Sequence, residues 1–99
     1  MVEYNFATDA IFTALSDGTR RDILERTLQG ALTVNQIALE YDMSVAAVSK
    51  HLKVLDEAGL ISRRKEGRFV YVATIPGAFT DAAEYLQQFE LRRTLANEA

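Results

Sequence analysis

Between residues 44 and 74 the chain places Lys50, Lys53, Arg63, Arg64, Lys65 and Arg68 against Asp56, Glu57 and Glu66, a local excess of three positive charges. The whole chain carries −3, so the remainder carries −6. Cations concentrated in this way suit hydrogen-bonded, electrostatic attachment to phosphate. Lys50 and Lys53 are three apart, hence neighbours on one face of a helix. Arg64, Lys65 and Arg68 bracket a Glu-Gly pair. Ser44 and Ser49 add hydroxyls at the start of the same stretch, and Ser44 with the free amides behind it forms a helix end suited to phosphate. A solvated charged exterior explains the charge equally well, so charge alone does not decide.

Other chemistries find little to work with. No cysteine is present, which excludes thiolate metal ligands, disulfides and cysteine nucleophiles. His51 is the single histidine, and Ser49, its one potential nucleophilic partner, lies about 200° away around a helix, so the two cannot meet. An enzyme is not expected. His51 lies about 60° from the buried direction of its helix, the position of a partly buried hydrogen-bonding residue or, second, of a phosphate contact.

The elements that position these residues follow from apolar spacing. Residues 6–15, FATDAIFTAL, place Phe6, Ala7, Ala10, Ile11, Ala14 and Leu15 at helical intervals, with Phe12 flanking. Asp17 caps a second helix carrying Ile23, Leu24, Thr27 and Leu28, closed by Gly30. Thr33 caps a short third helix with Val34, Ile37, Ala38 and Tyr41 on one face. After only DMS, Ser44 caps a fourth helix over 44–58, with Val48, Leu52 and Leu55 inward. Ala46, Lys50, Lys53 and Glu57 then point outward, flanked by Ala47 and Ser49. Gly59 occupies the left-handed position after the helix, and Leu60 folds back as in a Schellman ending.

Two helices joined by about three residues form a helix-turn-helix. The β-branched and aromatic run over 61–74, folded about Glu66-Gly67, reads as a hairpin. After Pro76 and Gly77 a last helix over about 78–96 carries Phe79, Ala82, Ala83, Leu86 and Phe89. The expected fold is mainly α with a small β-hairpin, a single winged helix-turn-helix domain over 1–99 in the order α-α-α-α-β-β-α. Small outward residues followed by cations, with Asp56 and Glu57 at the far end, suit entry of the fourth helix into a major groove, amino terminus first. The amino terminus lacks the basic start and apolar run of a signal peptide, and no apolar run nears the ~18 residues that span a bilayer, so a soluble, cytoplasmic protein is expected.

The segments LSDGTRRDIL, LTVNQIA and MSVAAVSKHLKVLDEAGLISRRKEGRFVYV, in that order, resemble the ArsR/SmtB family of winged-helix bacterial transcriptional repressors. The resemblance implies a homodimer built on the first and last helices and bound to a double-stranded DNA operator, expected to be an inverted repeat. Carried over by position, the DNA-facing residues are Ser44, Val45, Ala46, Ser49, Lys50 and Lys53, with Arg64, Lys65 and Arg68 on the wing. The dimer-forming residues are Phe6, Ile11, Phe12 and Leu15 from the first helix and Phe79, Leu86 and Phe89 from the last, although each stripe serves equally as internal core. Relatives often carry Gln-Pro where this chain has Val45 and Ala46, so a side chain that reads adenine is missing.

The metal sites of the family do not carry over. Thr33 and Asn35 stand where thiolate ligands would be, and neither replaces a soft ligand. In the last helix the register through Asp81 places Ala83, Thr94 and Asn97 at the remaining ligand positions, without a histidine. Asp81 and Glu84 suit at most a weakly held hard cation. No metal and no cofactor are expected, and the expected function is that of a repressor not regulated by metal. The rival reading is a winged-helix protein-interaction module whose basic surface docks an acidic partner.

Overall fold

Capping decides where most of the helices begin. In a computed structural model that describes residues 6–98, with the side chains of Thr94, Asn97 and Glu98 outside that description, α1 spans Phe6–Leu15 and α2 spans Gly18–Gln29. Asp17 starts α2 by accepting the Arg20 amide at 3.0 Å. Thr33 starts α3, Val34–Glu40, through a reciprocal box: its hydroxyl accepts the Gln36 amide at 3.1 Å, and the Gln36 side chain accepts the Thr33 amide at 2.8 Å. Ser44 accepts the Ala47 amide at 3.1 Å and opens α4, Val45–Glu57. The turn between α3 and α4 is closed by Asp42, whose φ of 51° is left-handed, a region aspartate tolerates better than most side chains.

The end of α4 is a Schellman motif. Gly59, at φ 72°, donates its amide to Asp56 at 2.9 Å, and Leu60 donates to Leu55 at 3.1 Å. Leu60 thereby turns back into the core, where it is fully buried.

The chain then forms β2, Ile61–Glu66, and β3, Phe69–Thr74, paired antiparallel from Ile61↔Thr74 to Glu66↔Phe69. That register makes the loop Gly67-Arg68 rather than the expected Glu66-Gly67. Gly67 takes φ 59° at the first loop position, which suits a tight hairpin, and Arg68 becomes part of the tip itself. A strand not anticipated from sequence, β1 at Leu32–Thr33, pairs with β3 through Leu32↔Val72 and Thr33↔Tyr71, so the sheet has three strands in the order β1-β3-β2. Two residues are too short to show an alternating pattern, and only the arrival of β3 beside them makes them a strand.

Val48, Leu52 and Leu55 of α4 are fully buried with Ile23 of α2, Ile37 of α3, Leu60 and Val72. Each such side chain contributes about 1.5–3 kcal/mol relative to exposure. This core fixes the roll of α4 about its axis, and therefore the direction of its opposite face.

A short 3₁₀ turn, Pro76–Phe79, leads to α5, Thr80–Glu98, so Phe79 belongs to the turn rather than to the last helix. Tyr85 of α5 meets Phe12 of α1 edge-on at 5.8 Å between ring centroids, and Phe89 meets Tyr85 at 5.2 Å. The residues expected at the dimer face separate here. Ile11 is buried in the chain's own core, 4% exposed, which corrects its assignment to an intermolecular face. Phe12, Leu15 and Phe79 are half-buried against that same core. Phe6, Leu86 and Phe89 are exposed, joined by Tyr85, Leu91 and Leu95. Of the expected α5 stripe, Ala82 is buried and Ala83 is exposed.

Candidate nucleic-acid interface

With Val48, Leu52 and Leu55 inward, α4 turns Ser44, Val45, Ala46, Ser49, Lys50 and Lys53 to solvent. Small side chains occupy the first turn and ammonium groups the next two. Lys50, Lys53, Lys65 and Arg68 have no ion-pair partner among the described residues.

The wing stands beside the amino-terminal half of this helix. Val45 and Ser49 share with Arg63, Arg68, Phe69 and Val70 the walls of a groove of about 290 Å³, floored at one end by Thr33, Val34 and Asn35. Arg68 holds its guanidinium 5.2 Å from the centre of the Phe69 ring, a cation–π arrangement that fixes a side chain otherwise free at a hairpin tip. The structure thus brings Val45 and Ser49 of the helix together with Arg68 of the wing.

Arg64 is the exception among the wing residues singled out from sequence. Strand alternation puts it on the face opposite Arg63 and Lys65. There it lies 5.5 Å from the centre of the Tyr71 ring and 3.0 Å from the Glu66 carboxylate, outside the groove beside α4. Arg63, not singled out from sequence, lines the groove instead. The signal that would have found it is its parity with Ile61, the buried start of β2, which puts both on the face toward α4. Its Nε lies 3.8 Å from the Asp56 carboxylate of that helix.

The arginines of the DGTRR segment serve the fold. Arg20 donates to the carbonyls of Ala14 at 2.8 Å and Thr13 at 3.0 Å, and Arg21 donates to Leu15 at 2.7 Å, satisfying the otherwise open carboxyl end of α1. His51, half-buried, sits with Nδ1 at 3.5 Å from Arg20 Nη1 and 3.8 Å from the Asp17 carboxylate. It therefore ties α4 to the start of α2, while Ser49 faces the groove. The Arg20 amide holds the Asp17 carboxyl below its ordinary range, against the opposing effect of burial.

A second polar cluster ties α2 to α3. The Tyr41 hydroxyl donates to Asp22, and Arg26 bridges Asp22 at 3.0 Å and Glu40 at 2.9 Å. Burial, then the Asp22 carboxylate, pushes the Tyr41 phenol up to about 12.

For a metal, the donors are poor. The Thr33 hydroxyl is engaged in its cap. Asp81 and Glu84 flank a cleft with Thr8, Tyr85 and Gln88. No three His, Cys, Asp or Glu side chains gather as a metal site among the described residues. The side chains of Thr94 and Asn97 lie outside those described. Among the described residues no helix is long and apolar enough to cross a membrane.

Comparison with known proteins follows the same outline. The family model described as bacterial regulatory protein, arsR family, matches residues 17–63, from the cap of α2 into β2. The transcriptional repressor SdpR of Bacillus subtilis is 33% identical over 79 residues, covering 80% of this chain and 88% of that protein. An ArsR-like transcriptional regulator from Rhodococcus sp. RHA1 superposes with a TM-score of 0.80 at 29% identity, over 92% of this chain and 85% of that one. The solution structure of the homodimeric winged helix-turn-helix DNA-binding domain of Mb0332 from Mycobacterium bovis superposes with a TM-score of 0.67 at 27% identity, over 100% of this chain and 93% of that one.

Proposed function

The chain belongs to the ArsR family and is a winged-helix DNA-binding transcriptional regulator, not an enzyme, and from that premise we propose that it is a homodimeric repressor that needs no metal. The observation that carries the proposal is the shared groove. Val45 and Ser49 of α4 line it with Arg68 of the wing, and Lys50 and Lys53 extend the same helix face without ion-pair partners among the described residues. A duplex whose major groove receives α4 meets cations on both elements, while the acidic remainder of the chain stays away from it.

In this reading the contacts divide by task. Lys53, Lys65 and Arg68 hold phosphates and set register, as does the capped amino end of α4 at Ser44. Ser49 and Lys50 reach base edges, and Val45 and Ala46 meet thymine methyl groups. The rest of the preference comes from DNA shape.

Repression is supported by the likeness to SdpR, which is named as a repressor. Dimerisation is supported by the homodimeric state of the Mycobacterium bovis relative and by the exposed Leu86, Phe89, Leu91 and Leu95 of α5. We take the chain as one domain, with α1 and α5 as the dimerisation elements and the cytoplasm as its place of work. Two-fold symmetry then sets two α4 helices about 34 Å apart on an inverted repeat. Independence from metal is supported by the absence of any cysteine and by hydroxyl and amide groups at Thr33 and Asn35.

The test is selection of bound duplexes from a random pool, with binding to the recovered duplex measured across salt, zinc and chelator. An inverted repeat, bound less tightly as salt rises and indifferent to zinc and chelator, is the expected result. Binding equal at low and high salt would overturn it.

A further inference from the structure

We infer that Arg63, at the base of the wing, is a phosphate-positioning residue of the DNA interface, gripping the strand that passes between α4 and the hairpin. The inference rests on the DNA-binding reading above and adds a contact that motif and spacing did not assign.

Three observations converge on it. Arg63 stands opposite Val72, which is fully buried, so both belong to the face of the sheet that looks toward the core and α4. Its side chain, 34% exposed, lines the groove with Asn35, Ser49 and Arg68, residues that carry two guanidinium groups, a hydroxyl and an amide. Such a set fits an anion.

The third observation is how Arg63 differs from the arginines that serve the fold. Arg20 and Arg21 are bonded to α1 carbonyls, Arg26 to Asp22 and Glu40, and Arg93 to Glu90. The Arg63 side chain makes no hydrogen bond among the described residues. Its ion pair with Asp56 is 3.8 Å long, beyond the roughly 2.7–2.9 Å of a charge-assisted hydrogen bond. Asp56, itself 55% exposed, therefore leans the guanidinium toward α4 without consuming its donors. A phosphate entering the groove gains those donors, with Arg68 stacked on Phe69 as the opposite jaw.

The experiment uses the full chain and the duplex recovered by selection, with Lys53→Ala as the reference. Arg63→Gln, and Arg63→Thr as a second neutral variant suited to a strand, lower the slope of log affinity against log salt by about 2 per dimer, one phosphate for each protomer. The affinity lost between about 50 and 200 mM salt then becomes roughly tenfold smaller than for the unaltered protein. Arg63→Lys keeps the slope. Ethylation of one phosphate in each half-site weakens the unaltered protein but not Arg63→Gln. If both neutral variants keep the full slope and the sensitivity to ethylation while Lys53→Ala loses slope, Arg63 is no phosphate contact and DNA binding stands. If no duplex is recovered, or Lys53→Ala also changes nothing, the DNA-binding reading itself falls.

Discussion

The hydroxyls of Thr27 and Thr74 lie 2.9 Å apart in the buried core, although 47 residues separate them in the chain. Thr27 also donates to the Ile23 carbonyl and Thr74 to the Leu24 carbonyl, each at 2.8 Å. Each hydroxyl carries one proton, so two of the three contacts are hydrogen bonds at any instant, and the set ties α2 to the end of β3, the strand that carries the wing. Thr27→Val and Thr74→Val each cost about 1–2 kcal/mol, since each leaves a buried polar group with one partner fewer. The double variant costs less than the sum, by about 0.5–1 kcal/mol, as residues in contact are not additive. Urea denaturation of the four proteins checks the coupling; strict additivity would remove it.

Phe89 is 54% exposed on α5 and extends the edge-on ring chain from Phe12 through Tyr85. Phe89→Asp puts a charge where the proposed partner subunit packs, and sedimentation is expected to show a monomer with unchanged helix content. A dimer of undiminished stability would take this face out of the interface.

The proposed complex gives Lys50 and Arg68 different tasks. Arg68→Ala is expected to weaken binding to all duplexes alike and reduce the salt slope by about 2 per dimer. Lys50→Ala is expected also to relax preference at one base pair in each half-site, by about 1–3 kcal/mol. Repeating the duplex selection with each variant separates the two effects.

The Tyr41 phenol stays neutral in the fold up to about 12, against an ordinary value of 10.0. Its contribution to stability is complete below pH 10 and is lost as pH rises from there through about 12. Asp22 shifts oppositely. The Tyr41 hydroxyl, then Arg26, hold its carboxyl below 3.8, so its contribution is present above that value and is lost as pH falls below it. The difference in tyrosinate absorbance between the unaltered protein and Tyr41→Phe is expected to titrate near 12, and Asp22→Asn to move that midpoint down. A midpoint unmoved by Asp22→Asn would show that burial alone sets it.

Much of the interface was legible because α4 carries its own instructions. Ser44 begins it, Gly59 ends it, and Val48, Leu52 and Leu55 fix which side faces in, so the outward position of Lys50 and Lys53 follows from 3.6 residues per turn. The wing was harder to read. Glu66-Gly67 and Gly67-Arg68 are both acceptable turns locally, and the choice between them, set by pairing with β3, decides which cations share a face. The terminal helices were the least legible, because an apolar stripe does not say whether it meets its own chain. Ile11 does, and Leu86 and Phe89 remain exposed.

The helices, their caps, the hairpin and the gathering of cations over residues 44 to 74 follow from local sequence, because periodicity, capping and turn chemistry act between residues a few positions apart. Folding in three dimensions was needed for Arg63 and Arg68 to close a groove with Ser49, for Arg64 to turn to the far side, and for Leu32 and Thr33 to become a strand. Those outcomes depend on strand register and on the burial of α4 against the sheet, which bring together residues distant in the chain.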